Sequence, residues 1–138
     1  MTVGYSVNSS LYEIGSSSFL YAFFSNICFH LENKRWGDKY PYLMKKLYQG
    51  KLSYMYAPLA IRELEEIKEK LKLFPPEKIV WDIDDACKKP PWGNNISNDI
   101  TSLSNYFVTS EGKDLIDITM EALEEGVKNK KDITITNV

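Results

Sequence analysis

The segment IVWDIDDA, residues 79–86, sets Asp82 and Asp84 one residue apart at the end of an apolar run, with Asp85 next. Paired carboxylates at the carboxyl end of a strand are how a Mg²⁺-dependent phosphoryl-transfer site begins, one as nucleophile and the other as acid. That chemistry also needs a downstream lysine, further acidic ligands on later strands and repeated strand–helix units, and only one strand of that kind is visible. Side chains alternate along a strand, so Asp82 and Asp84 share a side only if the strand persists through Asp84. Two other readings of the trio stay open: a solvated strand end, or direct contact with a basic partner.

Other routes to catalysis are poorly supported. The single histidine, His30, falls beside the apolar stripe of a helix with no motif around it, and a structural or surface role suits it best. The serines cluster at caps and turns, and the seven glycines are scattered, so no phosphate cradle forms. Cys28 and Cys87 are far apart and match neither a zinc spacing nor a disulfide framework. The sequence calls for no cofactor and no metal.

Two features point to binding instead. In CKKPPWGNNIS, residues 87–97, Pro90 and Pro91 stiffen the approach to Trp92, Gly93 supplies a turn, and Asn94 and Asn95 tolerate left-handed backbone. A stiff loop loses little entropy on docking, and tryptophan is enriched at binding hot spots. Trp92 could equally fold back as a lid on the core, and the Trp36–Gly37–Asp38 turn suggests that such pairs are architectural here. The second feature is the acidic run Glu111, Asp114, Asp117, Glu121, Glu124 and Glu125, opposed only by Lys113 within the same fifteen residues. It reads as the solvated face of a helix, or as a surface that steers a cationic protein.

The elements that must position these residues follow from periodicity. TVGYSVN alternates as a half-buried strand, with Val3, Tyr5 and Val7 on one side. Ser16 to Ser18 offer an N-cap for a helix running to about Lys34, and YLMKKLYQG forms a short helix stopped by Gly50. KLSYMY is an edge strand or a linker. Pro58 suits the first turn of a helix over Leu59–Phe74, ended by Pro75 and Pro76. KIVWDID then reads as a central strand and NYFVT as another, separated by a loop from Asp84 to about Ser102. Thr109 or Ser110 caps a last helix, and DITITNV closes the chain as a fourth strand. The expected architecture is a single α+β domain spanning residues 1–138, a roughly four-stranded mixed sheet packed with about four helices.

Composition narrows the partners. A net charge of −2 and a pI of about 5.5 argue against direct nucleic-acid binding, which needs a basic face. The most apolar run, FLYAFFSNICFHL, is too short and too polar to span a bilayer. MTVGYSVNSS has no basic start, apolar run or cleavage site, so the expected location is the cytoplasm.

Taken together, YEIGSSSFLYAFFSNICFHLEN, RWGDKYPYLMKKLYQGKL, WDIDD, PPWGNNIS and SNYFVTSEGKDL resemble the immunity protein 70 family of bacterial polymorphic toxin systems, over roughly residues 3–125. PPWGNNIS and NYFVTSEG are the more specific pieces. The resemblance implies a small cytoplasmic protein, not an enzyme, that binds the C-terminal effector domain of a secreted toxin and blocks it; such effectors are frequently nucleases. On that reading Asp82, Asp84, Asp85 and Glu111 meet a basic effector surface, with Trp92, Asn94 and Asn95 beside them and Trp92 as an apolar anchor. A Mg²⁺-dependent phosphohydrolase using Asp82 and Asp84, and a non-catalytic oligomerisation module, stand as the alternatives.

Overall fold

The computed structural model describes residues 1–85 and 87–138. Strand β1 (Thr2–Val7) turns at Asn8, whose φ is 57°, into β2 (Ser10–Ser16). Helix α1 (Ser17–Asn26) follows and widens into a π-helical turn over Ile27–Leu31. A second π-helical segment, Tyr42–Leu47, leads to the two-residue strand β3 (Lys51–Leu52). Helices α2 (Ala57–Leu71) and α3 (Leu115–Asn129) and strand β4 (Ile133–Asn137) complete the fold. The sheet has the order β2-β1-β4-β3.

The α+β class and the four-stranded sheet are as expected, with every pairing antiparallel rather than mixed. Val3, Tyr5 and Val7 do point to one side and are buried. Tyr5 lies fully inside and its hydroxyl meets the Thr119 hydroxyl of α3 at 3.0 Å, so α3 crosses the inner face of the sheet. Gly4 allows β2 to come close: a Cβ there would lie 2.6 Å from the Tyr12 carbonyl oxygen. Ser16 caps α1 by accepting the Phe19 N–H at 3.1 Å, and Pro58 sits in the first turn of α2. The KLSYMY segment does supply an edge strand, cut to Lys51–Leu52.

Strand β2 has no counterpart among the expected elements: SLYEIGS alternates and pairs with β1, and its last residue, Ser16, is also the expected cap of α1. Two expected strands fail for identifiable reasons. KIVWDID is not a strand. Its backbone pairs with side chains of α1: the Asn26 amide donates to Val80 O at 2.8 Å and accepts the Val80 N–H at 2.9 Å, and Ser25 Oγ accepts the Ile83 N–H at 3.3 Å. Two buried polar side chains thus do the work of a neighbouring strand. NYFVT is not a strand either; it folds onto the next turn, with a single bridge between Val108 and Asp114, and Phe107 O accepts the Leu115 N–H at 2.9 Å.

That turn moves the cap of α3 from Thr109 or Ser110 to Asp114, whose carboxylate accepts the Ile116 N–H at 3.0 Å. Burial raises the Asp114 pKa, with nearby Asp117 adding to the effect. A carboxylate whose folded pKa is raised stabilises the fold below its unfolded value and loses that contribution as pH rises through the folded one. Asparagine caps as well as aspartate without carrying the charge. Asp114→Asn should therefore melt at or above the parent temperature at neutral pH, with the advantage vanishing in acid. A lower melting point at neutral pH would show that the charge helps more than burial hurts.

Candidate interaction surface

The three aspartates sit where the 79–85 segment leaves α1. Asp82 is mostly shielded, accepts the Asp84 N–H at 2.8 Å and pairs with Lys88 at 3.4 Å. Asp84 is exposed, and its Oδ2 accepts the Tyr21 hydroxyl at 2.5 Å. Asp85 is exposed and accepts the Cys87 N–H at 3.1 Å, an Asx turn. Tyr21 belongs to an aromatic cluster in which its ring stacks on Trp36 at 5.9 Å and lies 6.0 Å from Tyr48. Burial, then the Asp84 bond and charge, push the Tyr21 hydroxyl well above the usual phenol range; burial and Asp82 raise Tyr48. The phosphoryl-transfer alternative needed a strand through Asp84, and there is none. Among the described residues no three His, Cys, Asp or Glu side chains gather as metal ligands.

Trp92 is both lid and exposed face. Its indole N–H donates to the Tyr106 hydroxyl at 2.9 Å, and its ring meets Trp81 edge-on at 5.3 Å. Yet 37% of the residue stays accessible. Two tight turns hold it, closed by Gly93 N–H to Pro90 O at 2.9 Å and Asn95 N–H to Trp92 O at 3.0 Å, with Gly93 at φ 59°. The Asn94 and Asn95 side chains form no hydrogen bond among the described residues and are exposed. Trp92, Asn95 and Ile96 line a largely apolar groove of about 300 Å³ together with Phe19, Tyr106 and Val108. A preformed aromatic wall with unused amides at its rim is suited to receiving an apolar side chain of a partner.

The sequence model of the family described as Immunity protein 70 matches residues 5–135, from β1 into β4. The chain belongs to the Immunity protein 70 family. No curated protein and no solved structure matches it. The matched region takes in both the groove and the aspartates, and the resemblance seen in PPWGNNIS and NYFVTSEG falls within it.

In this member of the Immunity protein 70 family the expected site residues do not form a single patch. Trp81 joins Asp82 to Trp92 through its edge contact, which links the aspartates with the 92–95 turn. Glu111 lies elsewhere, lining a second groove of about 320 Å³ with Leu11, Glu13, Lys113 and Ile118. The turn carrying Glu111 also carries Val108, so the two grooves flank one short segment. Tyr12 was missed by sequence reasoning: its hydroxyl donates to Glu125 at 2.6 Å, and burial together with Glu125 pushes it up to about 12. Tyr106 and Trp81 were missed because they fell inside two segments read as strands. Trp36 is architectural, as its turn suggested, with its N–H donating to Met44 O at 2.8 Å. His30 is pinned at 2.8 Å to Lys78 O and rests on Phe74, and burial lowers its pKa. Cys28 is buried and Cys87 exposed, and both are free thiols. No helix among the described residues is long and apolar enough to cross a membrane.

Proposed function

We propose that the chain is the immunity partner of a polymorphic toxin, binding the toxin's C-terminal effector domain in the cytoplasm and blocking it by contact, without turning over any substrate. The observation that carries this reading is the match to the Immunity protein 70 family over residues 5–135. The effector presents a basic face, as a nuclease does, and meets Asp82, Asp84 and Asp85 while an apolar side chain enters the groove beside Trp92, with Asn94 and Asn95 at its rim. Glu111 joins from the far side of the 108–111 turn. The acidic balance of the chain favours fast encounter with such a face.

Co-expression with the effector domain encoded beside this chain tests the reading, and calorimetry on the purified pair measures it. One-to-one binding and rescue of growth are expected. Trp92→Ala should weaken binding by roughly 30-fold, the usual scale of an aromatic hot spot. Unchanged affinity in Trp92→Ala combined with asparagine at Asp82, Asp84 and Asp85 removes this surface from the interface.

A further inference from the structure

Of the two edges of the sheet, one is short and the other is not. β3 has two residues, whereas β2 has seven and, among the described residues, no strand beyond it. The register fixes which backbone groups of β2 are open. The Val138 N–H donates to Thr2 O at 2.9 Å, so Thr2, Gly4 and Ser6 bond toward β4 while Tyr5 and Val7 bond toward β2. Tyr5 and Val7 lie opposite Tyr12 and Ser10. Alternation then turns the N–H and C=O of Leu11 and Glu13 away from the sheet. Among the described residues neither pair bonds to backbone outside the sheet; the next residue does, since Ser110 N–H donates to Ile14 O at 3.0 Å. That contact closes the edge at one end and leaves Leu11 to Glu13 open.

The open stretch borders a groove of about 320 Å³ lined also by Glu111, Lys113 and Ile118. Leu11 is 53% exposed on it, an apolar residue on an edge strand. Folded proteins usually blunt such edges with lysine, proline or a bulge, because they template pairing with another chain; the irregularity in β2, which leaves Ile14 unpaired between Glu13 and Gly15, falls just past the Leu11–Glu13 stretch. The charges here favour one kind of visitor. Glu13 and Glu111 border the groove, Glu125 holds the Tyr12 hydroxyl, and Glu121 is close enough to raise its pKa further. In the groove lining two carboxylates, Glu13 and Glu111, face the ammonium of Lys113, with Glu13 also accepting the Ser110 hydroxyl at 2.7 Å. A second copy pairing edge to edge would bring two acidic groove rims, each with Glu13 and Glu111, to one seam, a less favourable match than a basic segment.

We propose that the Leu11–Glu13 edge of β2 receives an extended, lysine- or arginine-rich segment of the partner protein as an added strand. Its backbone would satisfy the outward groups of Leu11 and Glu13, and its basic side chains would meet Glu13 and Glu111. This rests on the immunity reading and names a surface within it.

The test uses the full chain and the effector domain encoded in the neighbouring reading frame. Leu11→Pro removes an outward N–H that β1 does not use, so strand addition is blocked while the hairpin persists. Calorimetry should show binding weaker by about 100-fold, from lost ladder bonds and a steric bar, with the melting temperature unchanged. Amide exchange on the unmodified pair provides a second readout that needs no variant. The Leu11 and Glu13 amides should exchange freely in the isolated chain and become protected in the complex. If the parent binds and both amides stay unprotected, the edge is not the docking site while the immunity reading stands. If the parent does not bind the effector at all, both fall together. A dimer of the free chain that Leu11→Pro dissolves would overturn the proposal in favour of a second copy.

Discussion

Glu32→Ala should destabilise the fold by about 4 kcal/mol and lower its melting temperature by roughly 12 °C. Glu32 is 2% exposed and accepts three backbone N–H groups from the loop after α1: Gly37 at 3.0 Å, Lys39 at 3.0 Å and Tyr40 at 2.9 Å. Two of these bonds are themselves buried, so removing the carboxylate strands donors where water reaches poorly. The loop it shapes also carries Trp36, which stacks on Tyr21, and Tyr40, whose hydroxyl donates to Glu66 on α2 at 2.6 Å. Glu32→Gln keeps one acceptor oxygen but aims an N–H₂ at other donors, and should lie between the parent and the alanine variant. Urea denaturation of the three proteins measures this. A loss below about 1 kcal/mol for Glu32→Ala would mean that water replaces the carboxylate, and that the loop is not held as described.

The second large effect is expected at Asn26. Asn26→Ala removes both bonds to Val80, at 2.8 and 2.9 Å, along with the one to Ala22 O at 2.7 Å. The orphaned Val80 groups should cost about 3 kcal/mol. The more telling result is local. Asn26 is fully buried and ties the 79–83 segment to α1, and Trp81 in that segment supports Trp92. Loosening it should change the environment of both indoles and, on the proposed immunity function, weaken effector binding even where the protein remains folded. Asn26→Asp separates the causes, because it keeps the acceptor for the Val80 N–H but loses the donor and buries a charge. Tryptophan emission together with amide exchange at Val80 reads the detachment. Protection at Val80 equal to the parent's in Asn26→Ala would show that the segment is held by packing alone.

These two residues show where the sequence was legible and where it was not. α2 and β4 were readable because their apolar spacing is regular and nothing competes with it: Ala60, Leu64, Ile67 and Leu71 are all buried, as the stripe demanded. KIVWDID carried an equally strong pattern for a strand, yet its hydrogen bonds go to side chains. Asn26 lay in the middle of a helix, and no local rule reveals that a helical asparagine will pair with a backbone 54 residues away. NYFVT is apolar because Tyr106 and Phe107 are core residues in an irregular segment. The rigid Trp92 turn was visible from its prolines and glycine. What the ring packs against was not, since Trp81 and Tyr106 come to it only through the tertiary fold. Glu111 was grouped with the aspartates by charge alone, and charge gives no distance.

The middle of the sheet joins residues near the two extremes of the chain, since β1 lies between β2 and β4 and pairs Val3 with Asn137. The β1–β2 hairpin, complete at Ser16, forms early in synthesis but has no neighbour on its other side until β4 begins at Ile133. An isolated hairpin is marginal in water, so the emerging chain must wait for β4 before the core closes. A nascent chain that stops short of Ile133–Asn137 therefore carries β1 with one flank bare, and the sheet closes only once β4 has been made.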